Sequence, residues 1–263
     1  MKLRRVMLRI YWLISGQFGI DLRKMLRSLL VLPRYVRDFF RFRSSYTGRL
    51  ELYPCLLDWH KEGGTTKSEN FLSELLVARM IFAAKPEKHV DIGSRVDGFV
   101  AHVASFREIE VFDIRPITTQ IQGITFKQAD FMNLLEWMEG YCDSLSCLHA
   151  LEHFGLGRYG DQIDPKGFER GLINMASLLR EGGVFYLSVP IGIDRVEFNA
   201  HRVFNPHVIV DLCNMNALKL TALSVIQQGD RVVQVNLDES EFAGLTSQRY
   251  ALGIFTFVKC ATA

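Results

Sequence analysis

The chain has 263 residues, of which 48% are hydrophobic and 23% charged, and its net charge is +2. This is ordinary globular composition, with enough apolar material for one large domain or for one domain with an appendage. Five scattered cysteines without a C-x-x-C pair argue against a disulfide framework or a zinc ribbon. They favour a reducing compartment, so we expect a cytoplasmic protein.

The charges are distributed unevenly along the chain. Residues 1–49 hold twelve Lys and Arg against two Asp, a net charge of +10, which leaves −8 for the rest of a chain whose total is +2. In residues 20–43 apolar side chains recur at near-helical spacing, and Pro33 predicts a division into two helices because proline lacks the backbone donor. We expect residues 1–48 to form a basic amphipathic arm. It would contact an anionic membrane surface or a partner protein, or pack on the body or a second subunit.

The body, residues 49–263, opens with a turn-rich segment and a helix over residues 69–82, whose apolar residues recur with a period near 3.6. A short apolar strand, residues 89–92, then leads into a turn at Gly93 and a helix from Gly98 onward. A strand that runs into a glycine turn and a helix is typical of the nucleotide-binding side of a doubly wound α/β domain.

The second and third predicted strands each end beside an acidic residue. The second, residues 109–112, is closed by Asp113, twenty residues after Gly93, the spacing at which such a unit offers acceptors to a ribose diol. The third, residues 124–126, is followed by Asp130. Open α/β sheets bind ligands at the carboxyl ends of their strands, so a ligand site is expected here.

The fourth predicted strand, residues 143–148, runs into a loop that is dense in titratable side chains and glycines, residues 149–161. Catalytic residues of α/β enzymes gather at this position. His149, Glu152 and His153 resemble a metal cluster, but two loop glycines cut short the helix that such a motif needs, so we predict no zinc site. A metal-assisted alternative would hold Mg²⁺ with Asp161 and Asp164. A general base at His153 paired with a carboxylate, and a buried structural histidine, both remain open.

The remaining segments complete an alternating order of strands and helices. We predict a helix over residues 167–179 ended by a glycine cap at 182–183, a fifth strand over 184–189, and two last strands near 218–226 and 250–258. A final strand pair without an intervening helix is most simply antiparallel. The expected fold class is α/β, a Rossmann-like seven-stranded sheet with an antiparallel last strand.

Three segments carry a family resemblance that spans most of the chain: HVDIGSRVDGFVAHVASFREIEVFDIRP, DSLSCLHALEHFGLGRYGD and VEFNAHRVF. They resemble the methyltransferase-like family catalogued as domain of unknown function 268, within the class I S-adenosylmethionine-dependent methyltransferase superfamily. The resemblance implies that fold, with S-adenosylmethionine as cofactor. Because bacterial relatives are associated with surface-polysaccharide biosynthesis, it also implies a sugar, nucleotide-sugar or glycan acceptor.

The resemblance further implies which residues hold the cofactor: a glycine turn, acidic groups for the ribose and adenine, and an aromatic face for the adenine. In chain order they are Asp91, Gly93, Ser94, Arg95, Gly98, Asp113 (ribose), Asp130 and Phe131 (adenine) and His149 (methionine half). Arg95 stands where a small residue is expected. It either turns outward or holds the methionine carboxylate.

The leading hypothesis is an O-methyltransferase that acts on a sugar hydroxyl, with His153 as base, Glu152 orienting it and His201 as the substitute base. The candidate acceptor-holding residues are Arg158, Tyr159, Asp161 and Arg202. The alternative is a non-catalytic, degenerate methyltransferase fold that serves as a membrane-associated scaffold in a glycan-assembly complex. Nucleic acid is not an expected partner because the basic residues lie in the arm. A homo-oligomer is compatible with the sequence.

Overall fold

A computed structural model describes residues 2–64, 66–133, 138–227 and 231–261. The chain divides into two compact units, Met1–Thr65 and Thr66–Ala263. The predicted boundary between residues 48 and 49 lies within the first unit. Among the helices in the described ranges, none combines the length and the hydropathy needed to cross a bilayer.

The first unit is built from two amphipathic helices, α1 (Lys2–Gln17) and α2 (Leu22–Arg43). Asp21 caps α2, because its carboxylate accepts hydrogen bonds from backbone N–H groups of the first turn. The prediction that Pro33 divides the segment is wrong, since α2 continues through it. Proline removes one backbone hydrogen bond, and water can satisfy the freed carbonyl on a helix with no buried residue.

The second unit is an α/β domain. Its helices are α3 (Glu69–Ala84), α4 (Ala101–Ala104, preceded by a π-helical turn at Val96–Val100), α5 (Gly167–Leu178), α6 (Pro206–Met215) and α7 (Glu239–Ser247). Its strands are β1 (His89–Ile92), β2 (Ile109–Asp113), β3 (Ile124–Gln128), β4 (Cys142–Leu148), β5 (Leu179–Ile191), β6 (Arg195–Glu197), β7 (His201–Val203), β8 (Leu218–Gln227), β9 (Arg231–Val235) and β10 (Ala251–Lys259).

The main sheet has eight strands in the order β3-β2-β1-β4-β5-β10-β8-β9. The first five are parallel, and β10 lies antiparallel between β5 and β8. The predicted α/β fold with an antiparallel end is therefore confirmed. The eighth strand, β9, pairs with β8 at the sheet edge and was not predicted, while β6 and β7 form a separate hairpin.

The predicted glycine cap of α5 is wrong. The helix ends at Leu178, and β5 begins at the next residue. Gly182 and Gly183 lie inside β5, beside an irregularity in its pairing with β4. A backbone φ of +76° at Gly182 suits this bulge because glycine adopts left-handed conformations without strain.

The core lies on both faces of the parallel strands. All four residues of β1 are buried, as expected for a central strand covered on both sides. One apolar cluster includes Leu145, Leu172 and Phe255, and the other includes Ile81, Phe99 and Val111. This packing fixes the carboxyl ends of β1 to β4 at one edge of the domain.

Candidate functional site

A cleft of about 360 Å³ lies at the carboxyl ends of the parallel strands, within the second unit. Of the sixteen site residues expected from the sequence, twelve line this cleft. The predicted site residues that line it are Gly93, Arg95, Asp113, Asp130, Phe131, His149, Glu152, His153, Arg158, Tyr159, Asp161 and His201. Four other candidates, Asp91, Ser94, Gly98 and Arg202, do not line it.

The turn after β1 is shaped by Gly93. Its φ is +72°, and its N–H donates to the Phe112 carbonyl at 2.8 Å, which ties the turn to β2. A Cβ at this position would lie 2.9 Å from the Ala150 side chain. The turn therefore needs glycine both for its conformation and for its close approach to the loop after β4.

Asp91 and Ser94 lie beneath the turn instead of in the cleft. The fully buried Asp91 carboxylate accepts from the Ser94 N–H at 3.0 Å and from the Ser94 and Ser146 hydroxyls, each at 2.6 Å. Burial raises the pKa of Asp91 to about 6. The Ser94 Oγ in turn accepts from the N–H of Leu148. This network holds the turn against β4, so both residues support the cleft from behind.

Gly98 was predicted to bind the cofactor and Arg202 the acceptor, but both have roles in packing outside the cleft. A Cβ at Gly98 would lie 2.6 Å from the Glu74 carboxylate, so this glycine admits α3 and not a ligand. The buried Arg202 guanidinium donates to backbone carbonyls, including those of Phe154 and Pro165. Because those bonds hold it in the loop after β4, it is not kept as an acceptor-binding residue.

Arg95 turns toward its own loop. Its Nε and Nη2 donate to the two Asp97 carboxylate oxygens at 3.1 and 2.9 Å, and its side chain is 57% exposed. The guanidinium thus lies at the edge of the cleft, where it contributes to the lining. Of the two predicted positions, the outward one is the one adopted.

Asp113 ends β2 and carries a partner that sequence reasoning missed. The Arg115 guanidinium donates to both of its carboxylate oxygens, and the Arg115 backbone N–H adds a bond at 2.8 Å. The Asp113 side chain is only 8% exposed and faces the cleft. The sequence Asp113-Ile114-Arg115 contains a signal for this ion pair. A basic residue two positions after an acidic strand end can fold back onto the acidic side chain.

Asp130 and Phe131 follow β3. Phe131 is buried and packs edge-on against Phe112, with the ring centroids 5.5 Å apart. The Asp130 carboxylate accepts from the Met132 N–H at 2.9 Å and from the Asn133 amide at 2.9 Å. These local bonds fix the carboxylate at the cleft lining and leave acceptor capacity on each oxygen.

His149 opens the loop after β4 in an unusual conformation. Its φ is +54°, a region that non-glycine residues seldom adopt and that clusters at functional sites. Its Nε2 lies 2.9 Å from the Ser73 hydroxyl of α3. Burial lowers the pKa of His149 to about 4, so the ring is neutral at physiological pH.

His153 is oriented by a backbone carbonyl. Its Nδ1 lies 2.7 Å from the carbonyl oxygen of Ala200. A carbonyl only accepts, so Nδ1 carries the hydrogen and the neutral ring presents a lone pair at Nε2. Burial, with a smaller effect of the Arg158 charge, lowers the pKa of His153 to about 4. The ring is therefore an unprotonated potential base.

Glu152 lies next to that lone pair but does not orient the ring. Its side chain is only 4% exposed, and its Oε1 is 3.9 Å from the His153 Nε2, too far for a direct hydrogen bond. Burial raises the pKa of Glu152 to about 8, so the carboxyl is largely protonated at neutral pH. Its buried Oε2 has no hydrogen-bond partner among the described residues. An unpaired acid beside a histidine lone pair is typical of a binding position for a polar group.

The cleft is also lined by Glu69 and Tyr250, which sequence reasoning missed. The Tyr250 hydroxyl donates to the Glu69 carboxylate. The ring of His201 lies 6.4 Å from that of Tyr250. Burial lowers the pKa of His201. No local pattern links Glu69 to Tyr250, because they are 181 residues apart in sequence.

The outer part of the cleft combines an aromatic ring with two guanidinium groups. The carbons at the centres of Arg115 and Arg158 lie 4.5 and 5.1 Å from the centre of the Tyr159 ring. Asp161 is engaged by the backbone, since its carboxylate accepts from the N–H groups of Gly157 and Tyr159. In the described part of the chain, no group of three His, Cys, Asp or Glu side chains is placed to hold a metal ion.

The architecture is similar to that of several solved methyltransferases. The 1,6-didemethyltoxoflavin-N1-methyltransferase of Burkholderia thailandensis, solved with 1,6-didemethyltoxoflavin and S-adenosylhomocysteine, aligns over 73% of this chain and 80% of its own, with 15% identity and a TM-score of 0.53. The N-methyltransferase NodS of Bradyrhizobium japonicum WM9, in complex with S-adenosylhomocysteine, aligns over 76% and 91%, with 13% identity and a TM-score of 0.51.

A Thermotoga maritima protein described as a SAM-dependent methyltransferase, possible histamine N-methyltransferase, aligns over 88% of this chain and 99% of its own. Its identity is 14% and its TM-score 0.50. At such identities the likeness establishes the fold and not the reaction.

At the sequence level, residues 106–216 match the family described as Caenorhabditis protein of unknown function, DUF268. No curated protein shows significant similarity to the chain. The matched segment begins just after α4 and ends just after α6. It includes Asp113, Asp130 and the loop after β4. The expected resemblance is confirmed for residues 106–216, which match the domain of unknown function 268, and the chain as a whole has a class I methyltransferase fold.

Proposed function

We propose that the protein is an S-adenosylmethionine-dependent methyltransferase. The observation that carries the proposal is the cleft at the carboxyl ends of β1 to β4, which is lined by the Gly93 turn and by carboxylates at the ends of β2 and β3. In an open α/β sheet this is the ligand-binding edge. The S-adenosylhomocysteine bound to two proteins of the same fold agrees with such a ligand.

The residues of the cleft fit the parts of that cofactor. Asp113 offers carboxylate oxygens to the ribose hydroxyls. Asp130 accepts from the adenine amino group, and Phe131 provides an apolar contact for the ring. Gly93 leaves room for the methionine half, because no side chain projects from the turn. Arg95 lies at the cleft edge, where it is bonded to Asp97. If its guanidinium leaves Asp97, it can bind the methionine carboxylate of the cofactor.

His153 has the properties of a general base. When bound, the cofactor supplies a sulfonium methyl group that is transferred to a nucleophile, with the C–S bond breaking as the new bond forms. The Nε2 lone pair of His153 accepts the proton that an acceptor hydroxyl loses as its oxygen bonds to the methyl carbon. The Ala200 carbonyl keeps that lone pair directed at the cleft. His201, which also lines the cleft, is the substitute candidate.

Glu152 and His153 together define a position for the acceptor. The 3.9 Å gap between Glu152 Oε1 and His153 Nε2 is too long for a direct bond, but a hydroxyl group beside it can contact both. The protonated Glu152 donates a hydrogen bond to the acceptor, while His153 takes one from it. This arrangement orients a neutral nucleophile without placing a charge in the buried part of the cleft.

A sugar or glycan hydroxyl is the acceptor that we infer, in line with a role in surface-polysaccharide synthesis. Tyr159 lines the cleft and offers its phenolic hydroxyl to a sugar, while its ring contacts the Arg115 and Arg158 guanidinium groups. Arg158 lies beside it and can hold a phosphate if the sugar is carried by a nucleotide. Asp161 accepts from sugar hydroxyls with its remaining lone pairs.

One observation favours the alternative, a non-catalytic scaffold: Arg115 already engages both oxygens of Asp113. Isothermal titration calorimetry with S-adenosylhomocysteine separates the two functions. Saturable binding that is weakened in Asp113→Ala and kept in Asp211→Ala, an exposed acid of α6, supports the enzyme. No binding at millimolar ligand rejects it. Transfer of labelled methyl groups to nucleotide sugars and extracted glycans then tests the acceptor class.

The basic arm, residues 1–48, enters this proposal only as a segment that contacts an anionic surface, either lipid or protein. Self-association of the chain also remains a proposal. Neither is needed for the chemistry of the cleft.

A further inference from the structure

Helix α2 carries an apolar stripe that is open to solvent along its whole length. Its members recur at helical spacing and are all exposed: Leu22, Met25, Leu26, Leu29, Val36 and Phe40. Leu26 and Leu29 are each 62% exposed. None of the residues of α2 is buried. A contiguous apolar surface of this kind marks a binding surface, because isolated exposed apolar residues do not align.

The face of α2 opposite the stripe is strongly basic. Arg23, Lys24, Arg27, Arg34 and Arg41 occupy it at the same helical spacing. The sole acid of the helix, Asp38, is held by Arg34 and Arg37. When the apolar stripe enters the headgroup–acyl boundary, long basic side chains on the other face can extend around the helix toward the lipid phosphates.

Helix α1 also exposes apolar side chains. Met7, Ile10 and Leu13 are exposed on one face, and Trp12 is 70% exposed. Tryptophan prefers the boundary between headgroups and acyl chains. Both helices of the first unit thus present apolar and aromatic surface in a segment whose net charge is +10 over residues 1–49.

We propose that α1 and α2 bind the surface of an anionic lipid bilayer, with the stripe of α2 in the headgroup–acyl boundary. The 22 residues of α2 extend for about 33 Å at 1.5 Å per residue, which suits a planar surface. A second copy of the arm is a poor occupant because it would bring two strongly positive segments together. This inference does not rest on the proposed methyltransferase activity.

Co-sedimentation of the full chain with lipid vesicles tests the proposal. Vesicles of phosphatidylcholine with phosphatidylglycerol are compared with vesicles of phosphatidylcholine alone. Binding is expected only to the anionic vesicles, and added salt weakens it. The double variant Arg23→Glu/Arg27→Glu is expected to bind roughly 25-fold more weakly or worse, because each basic residue near an anionic surface strengthens binding by about fivefold. Lys219→Glu/Arg231→Glu, at exposed positions of the second unit, is the charge control.

The apolar stripe is tested by Leu26→Ser/Leu29→Ser, for which affinity is expected to fall on the order of tenfold or more. Leu52→Ser/Tyr53→Ser changes two exposed residues of the same unit outside the helices and is the matched control. Quenching of tryptophan fluorescence by brominated lipid, reduced in Trp12→Phe, gives an independent measure of insertion. Unchanged binding of both helix variants overturns the proposal. So does an absence of binding to the anionic vesicles, and self-association that Leu26→Ser/Leu29→Ser abolishes would then identify a second copy of the chain as the occupant.

Discussion

The Arg115 guanidinium donates to both carboxylate oxygens of Asp113, from Nε to Oδ1 at 3.0 Å and from Nη2 to Oδ2 at 2.6 Å. The Arg115 backbone N–H also donates to Oδ1 at 2.8 Å. A carboxylate has about four acceptor positions, so three of them are already taken. The proposed ribose contact must therefore share Asp113 with Arg115 or displace it.

This relationship gives the first prediction. Replacing Asp113 with Ala removes the hydroxyl acceptors, and the affinity for S-adenosylhomocysteine is expected to fall roughly 10- to 100-fold, as for the loss of charge-assisted hydrogen bonds. Arg115→Gln is expected to leave the affinity unchanged or to raise it, because the competing donor is weakened. Calorimetry measures both, with Asp211→Ala as the control. A larger loss in Arg115→Gln than in Asp113→Ala would contradict the assigned roles.

His153 is predicted to act as the base. His153→Ala is expected to lower the turnover number on the order of 10²- to 10⁴-fold with little change in cofactor affinity. Methyl transfer to the acceptor and calorimetry measure the two quantities. His207→Ala, at a histidine that packs beside Phe242 outside the cleft, is the control. Full turnover in His153→Ala would remove this assignment and leave His201 as the candidate.

The pH dependence of the rate tests the same residue. Burial lowers the pKa of His153 to about 4, so its lone pair stays available as the pH falls from 8 to about 5. No loss of rate with a midpoint near 6.5, the ordinary value for histidine, is expected in this range. An acid limb centred at 6.5 that disappears in His153→Gln would show that the ring is solvated during the reaction.

Glu152 predicts how stability depends on pH. In the folded chain burial raises the pKa of Glu152 to about 8, whereas the ordinary value is 4.5. Between these values the folded state binds more protons than the unfolded state, so this residue lowers stability as the pH rises. Glu152→Gln removes the effect, and its free energy of unfolding relative to wild type is expected to increase from pH 5 to pH 8 by a few kcal/mol at most. Urea denaturation at both pH values measures this.

The control for that measurement is Glu181→Gln, at an exposed position of β5. Its difference from wild type is expected to be the same at pH 5 and pH 8. An equal response of the two variants would mean that Glu152 is hydrated and ionised in the folded protein.

Gly93 is predicted to be needed for packing as well as for conformation. Gly93→Ala introduces a Cβ 2.9 Å from the Ala150 side chain, whereas Gly160→Ala, also at positive φ, meets no atom within 4 Å. Comparing the two variants separates the effect of steric crowding from the effect of backbone strain. Gly93→Ala is expected to be the less stable by about 1–3 kcal/mol and to bind S-adenosylhomocysteine more weakly. Thermal unfolding and calorimetry check this; equal stability of the two variants would exclude the crowding.

Local pattern in the sequence determined the order of the central elements. The apolar run of β1, the glycine turn and the acidic end of β2 lie within 25 residues, so their spacing specifies a strand, a turn and a strand without reference to the rest of the chain. The same applies to Asp130 and to the loop that contains Glu152 and His153, since residues at the carboxyl ends of parallel strands share one edge of the sheet.

Only the tertiary structure decided what these side chains do. Whether Arg95 enters the cleft depends on its bond to Asp97, and the tautomer of His153 depends on the Ala200 carbonyl, 47 residues away. The pKa of Glu152 follows from burial by distant segments. Desolvation and long-range hydrogen bonds are properties of the assembled fold and leave no local pattern in the chain, which is why the sequence located the cleft and the fold assigned its chemistry.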